Sequence, residues 1–151
     1  MKRSVVAAVS VAALVTVAGL LAQGFSLRTG SWSFTMTMQG MSLEGLPPEV
    51  QAELKKPQTF TSCVTAEDLK NLNVGRPPDS DDEDCKTVSS KVSATVADLT
   101  RECSGDNAGT ETQHFEAATP QTLKGTIAKK TAAGMTTIAI NGKWVAPTCT
   151  E

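Results

Sequence analysis

The sequence predicts a mainly β domain: an antiparallel meander curled into a small barrel or sandwich, with one or two short helices. Three observations lead there. Ser31 to Gln39 alternates apolar and polar residues without a break. From Lys86 onward, short strand-like runs recur between turn signals. Four cysteines follow a leader of export type, so cross-links are available to a chain with few large apolar side chains.

The leader comes first. Met1-Lys2-Arg3 is basic, and Val5 to Ala22 carries no charge and is built mostly from Val, Ala and Leu. A basic start, an apolar run and a small residue at its end are the parts of a secretory signal. Cleavage is expected after Ala22, with Leu20 at the minus-three position; Thr16 and Ala18 also fit cleavage after Ala18. The competing reading is an uncleaved anchor, since the apolar run approaches the roughly 20 residues a membrane span needs. Position 23 is Gln rather than Cys, which argues against a lipid anchor. Residues 1–22 are therefore assigned to the signal and 23–151 to one domain.

Lys2 and Arg3 leave with the signal. That reduces Lys plus Arg from 14 to 12 against 16 acids, a net charge of −4. Nucleic acid and anionic bilayers both favour basic patches, so neither is an expected partner. With two Trp, four Phe and no Tyr, the core is lean.

In the first strand Trp32, Phe34, Met36 and Met38 share one face, and Ser31, Ser33, Thr35, Thr37 and Gln39 share the other. Leu46-Pro47-Pro48-Glu49 starts a short helix, because Pro suits the first helical turn. Val50 and Leu54 give it an apolar edge, and Pro57 ends it. Thr59 to Val64 reads as a second strand. Thr65 then resembles an N-cap followed by Glu67 and Asp68, for one or two helical turns to about Asn71. Gly75 to Asp84, with Pro77, Pro78 and five acids, is an exposed loop. Strands follow at about Lys86–Ser93, Thr95–Cys103, Thr110–Ala117, Thr122–Lys129 and Met135–Val145. In the last, Ile138, Ile140 and Trp144 share a face with Gly142. The middle strands alternate poorly, as an exposed sheet face or a polar interior would.

Cys63, Cys85, Cys103 and Cys149 lack the close C-x₂₋₄-C pairs of a zinc site, and the nearest two are 18 residues apart. They read as two disulfides, each worth about 2–4 kcal/mol. Of three pairings we expect Cys63 with Cys85, closing the acidic loop, and Cys103 with Cys149, tying the chain end to the sheet. The competing pair is Cys85 with Cys103, brought together by a hairpin turning near Ala94.

Candidate chemistry is sparse. Asp79, Asp81 and Glu83 have the first EF-hand spacings, but position six is Asp84 instead of Gly and position twelve Ser90 instead of Glu. Met36, Met38, Met41 and Met135 supply soft sulfur suited to copper(I). Two of these already share the core face of the first strand, and thioethers fill irregular cores well. His114, the sole His, lies near Ser104 and Asp106, without a G-x-S-x-G elbow. No G-x-G-x-x-G or phosphate loop occurs. Gly30-Ser31-Trp32 is similar to the short lipocalin signature; a plainer reading buries Trp32 and Trp144 where the terminal strands meet.

The order of features has a match. The Gly30-Ser31-Trp32 strand, Leu46-Pro47-Pro48-Glu49, Thr61-Ser62-Cys63-Val64-Thr65-Ala66-Glu67-Asp68, Cys85, Cys103-Ser104-Gly105 and Gly142-Lys143-Trp144-Val145-Ala146-Pro147-Thr148-Cys149 resemble the domain-of-unknown-function family numbered 3617. The resemblance implies an exported, proteobacterial-type β-rich domain with matching cysteines, and no activity, substrate or catalytic residue.

The expectation is a periplasmic or secreted, non-enzymatic binding or structural module. The alternatives are a lipocalin-like carrier of a small apolar ligand, an inhibitor or chaperone of an envelope protein, and an uncharacterised hydrolase. No cofactor, metal or catalytic residue is assigned. The disulfide set is Cys63, Cys85, Cys103 and Cys149; the core set is Trp32, Phe34, Met36, Met38, Ile138, Ile140 and Trp144.

Overall fold

Period-two patterning becomes seven strands in a computed structural model that describes residues 24–40, 45–77, 84–105 and 108–149. The leader with its two candidate cleavage sites, Met41, Asp79, Asp81, Glu83 and Asp106 lie outside the described residues.

The strands are β1 (Gly30–Gln39), β2 (Gln58–Val64), β3 (Cys85–Val92), β4 (Val96–Cys103), β5 (Gly109–Thr119), β6 (Thr122–Thr131) and β7 (Gly134–Ala146). Two helices, α1 (Pro48–Leu54) and α2 (Ala66–Asn71), lie where Pro48 and the Thr65 cap predict them. All strand pairs are antiparallel, in the order β2-β1-β7-β6-β5-β4-β3. The sheet does not close into a barrel, because β2 and β3 remain its two edges. It curls instead, sandwich-like, around the residues that cover its concave face.

Register decides which residues meet on that face. Phe34 lies opposite Gly142, and Phe115 opposite Gly125. A Cβ on Gly142 would come within 2.6 Å of the Phe34 ring, and one on Gly125 within 2.3 Å of the Phe115 ring. Each phenyl ring therefore occupies the space a side chain would have filled. Trp32 stacks on Phe34 with centroids 5.8 Å apart, and Phe34 on Phe60 at 5.6 Å.

Two stretches without regular structure complete the interior. Residues 24–29 pass the sheet end: Ser26 N–H donates to Ala94 O and Arg28 N–H to Pro120 O, while Phe25 and Leu27 are buried. Residues 72–77 cross the middle, burying Leu72 and Val74. Gly75 comes so close to Ile140 and Phe34 that an added Cβ would lie 3.2 Å from Ile140.

Of the core set, Trp32, Phe34 and Ile140 are buried; Met36, Ile138 and Trp144 are partly buried against them. Met38 is half-buried. Trp32 and Trp144 are register partners, and their indoles donate to Arg28 O at 2.8 Å and Thr29 O at 3.0 Å. Arg28 also lies over the Trp144 ring, 5.1 Å from its centroid.

The expected disulfide pairing is corrected. Cys85 bonds Cys103, and Cys63 bonds Cys149. The β3–β4 hairpin sets Cys85 directly opposite Cys103, with Cα atoms 4.0 Å apart. The predicted Cys63–Cys85 bond would join opposite edges of the sheet. Six strand spacings separate them, roughly 29 Å along the sheet. Because β1 lies between β2 and β7, the chain leaving Ala146 instead reaches Cys63, at a Cα separation of 5.4 Å.

Two outcomes follow for denaturant unfolding. Gly142→Ala should lower the unfolding free energy by about 1–3 kcal/mol through overpacking, and adding Phe34→Leu should recover part of that loss if the ring contact is the cause. Replacing both cysteines of the 86-residue closure with Ser should cost roughly 4.5 kcal/mol, against roughly 3 for the 18-residue closure.

Candidate functional site

Three polar regions lie on this scaffold, and alternation assigns each to a face. On the convex side Asp98, His114 and Glu116 come together from β4 and β5. His114 Nδ1 lies 2.7 Å from Asp98 Oδ1, and Nε2 lies 3.3 Å from Glu116 Oε1. The hydrogen bond to Asp98 first, and that to Glu116 second, raise the His114 pKa above its ordinary value. The trio is exposed. Ser104, which lies near His114 in the sequence, hydrogen-bonds Asp84 O at 3.3 Å. Asp98 pairs with His114, whereas Cys103 pairs with Gly109, so the end of β4, after which Ser104 follows, is displaced by about 16 Å along the strands. The two are not brought together. The methionines also diverge: Met36 and Met38 face the core, while exposed Met135 pairs with Lys130 on the convex side. Among the described residues no group of three or more His, Cys, Asp or Glu side chains could hold a metal ion.

The second region is inside. Glu111 and Gln113 occupy the same alternation phase as Phe115 and are buried. Glu111 pairs with Arg76 from the crossing segment and lies 3.6 Å from Arg101 Nη1. The Gln113 amide donates to Glu111 Oε1 at 2.6 Å, and its own Oε1 is buried with no hydrogen-bond partner among the described residues. Leaving such an acceptor unpaired costs about 1–3 kcal/mol. The Arg76 pair fixes residues 72–77 to β5, so its role is to position the cover. It was missed because the middle strands alternate poorly by hydropathy alone. The signal was there in Leu99-x-Arg101 and Glu111-x-Gln113-x-Phe115, which place charged residues in the phase of apolar ones.

The third region lies at the edge. The Thr65 hydroxyl accepts from Asp68 N–H at 3.1 Å while Asp68 Oδ2 accepts from Thr65 N–H at 2.8 Å, a reciprocal cap that starts α2. The helix ends on Leu72 in the left-handed region, φ 55°, an unusual conformation for a branched side chain. That bend opens a groove of about 410 Å³ between the Lys70–Asn73 turn and the β3–β4 edge. Its base is apolar, from Leu72, Val92 and Leu99. Its walls carry Lys70, Arg101, Asn71, Asn73, Thr87 and Ser90, with no carboxylate among the lining residues described. Among the described residues, β3 beside it is exposed from Lys86 to Val92 and bonded to the sheet on one side only.

The arrangement offers hydrogen-bonding backbone and cationic side chains. No described helix is long and apolar enough to cross a membrane. The family model described as "Protein of unknown function (DUF3617)" matches residues 27–149. No curated protein and no solved structure matches.

The raised His114 pKa sets a pH dependence. Folding favours the protonated form, so the trio's contribution is full below the unfolded value near 6.5 and is lost as pH rises through the folded value. His114→Gln should therefore destabilise the protein at pH 5, by no more than about 1 kcal/mol for so exposed a site, and have little effect at pH 8. Thermal unfolding of both proteins at the two pH values checks this.

Proposed function

The chain belongs to the DUF3617 family, and from that premise we propose that it is an exported envelope domain, periplasmic or secreted, that works as a non-enzymatic binding module with β3 as its contact edge. The observation that carries the reading is that β3, among the described residues, is hydrogen-bonded on its β4 side only, exposed from Lys86 to Val92 and clamped to β4 by Cys85–Cys103. An edge strand that is rigid and open is what strand addition requires. Export is supported by the two disulfides, which persist in oxidising compartments, and by the leader-like composition of residues 1–22. The carrier reading fits less well. Trp32, Phe34, Phe115, Leu123 and Ile140 fill the interior, and the groove beside α2 is walled by polar groups, whereas a carrier of apolar ligands needs an enclosed apolar pocket.

Native mass spectrometry of the full chain, expressed in a bacterium and recovered from the envelope fraction, tests this. The expected mass is that of a chain starting at Gln23 and lacking four thiol hydrogens, in complex with a second polypeptide. Val88→Asp, at an exposed edge position, should abolish the complex, and Lys143→Asp on the convex face should retain it. Free thiols, a cytoplasmic chain, or loss of the complex with both variants would refute the reading.

A further inference from the structure

We propose that the β3 edge and the α2–β3 groove together take an acidic extended segment of a partner polypeptide, added as an eighth strand. This deepens the binding-module reading and rests on it. A strand joining β3 continues the hydrogen-bonded ladder, and its alternate side chains project over the groove on the concave side.

Charge selects the occupant. On the convex side Lys86 lies opposite Glu102, and Lys91 opposite Asp98. Both lysines are exposed, and β3 contains no acid. Each has a carboxylate on the β4 side and an open position on the free side. On the concave side the groove adds Lys70, while its Arg101 lies 3.6 Å from the buried Glu111 carboxylate. The register irregularity between Thr87 and Ser89 makes five positions of β3 span four of β4. A regular added strand would therefore meet the two lysines with acids four residues apart.

A second copy of this chain is a poor occupant. Antiparallel self-pairing centred between Val88 and Ser89 would set Lys86 against Lys91, and like charges directly opposite destabilise a sheet. Edge lysines commonly serve to block such pairing. Here the same two residues that reject a copy suit an acidic strand.

Three octapeptides test the proposal: Thr-Glu-Val-Thr-Val-Glu-Val-Thr, and its counterparts with both Glu replaced by Gln or by Lys. Binding to the oxidised full-length protein is read by fluorescence anisotropy, and the contact surface by backbone amide shifts. The Glu peptide should bind at least about tenfold tighter than the Gln peptide and lose affinity as salt rises, while the Lys peptide should not bind. K86E/K91E should reverse the ranking, and K86Q/K91Q, which avoids like charges against Glu102 and Asp98, should erase the Glu preference. Equal Glu and Gln affinities with β3 amide shifts would overturn the acidic preference and leave the edge reading standing. No binding by any peptide would also overturn it, while the envelope complex and its Val88→Asp variant decide the edge reading independently.

Discussion

Two phenyl rings laid over two glycines hold the interior together. Phe34 covers Gly142 and Phe115 covers Gly125, each across a strand pair in direct register. With four Phe and two Trp in the chain, there is little aromatic area to distribute. Placing a ring where the neighbouring strand lacks a side chain lets one residue serve two strands. It also lets the sheet bend toward its own core, since glycine removes the crowding that would hold neighbouring strands apart. The stack of Trp32, Phe34 and Phe60 extends this contact to the β2 edge.

What the rings do not cover, loops and cross-links do. The 24–29 segment straps one end of the sheet, and residues 72–77 span its middle, fixed by the Arg76–Glu111 pair. Cys63–Cys149 joins the β2 edge to the segment after β7, and Cys85–Cys103 clamps the opposite edge. The two edges thus differ. β2 shares its side of the molecule with the linked C-terminal segment; β3 stands open beside a groove.

Much of this order was legible locally. The alternation of Trp32, Phe34, Met36 and Met38 set the core phase of β1, and Pro48 and Thr65 marked both helix starts, because each depends on neighbours within a few residues. What could not be read depends on residues far apart. The disulfide pairing required knowing that β1 sits between β2 and β7, and no local signal reports a neighbour more than a hundred positions away. The groove needed the path of residues 72–77, whose Leu72 adopts a backbone conformation its side chain does not advertise. The polar phase of β4 and β5 was hidden because Arg101, Glu111 and Gln113 are hydrophilic yet face inward.

The placement of β1 against β7 has a kinetic consequence. A polypeptide that emerges N-terminus first, from a ribosome or through a translocation pore, presents Trp32 and Phe34 long before Gly142 and Trp144 exist to receive them. Contacts of such long sequence separation form slowly. The nascent chain must therefore carry the aromatic side chains of β1 without their β7 partner until residue 146 has appeared, and that interval is when aggregation competes most strongly with folding.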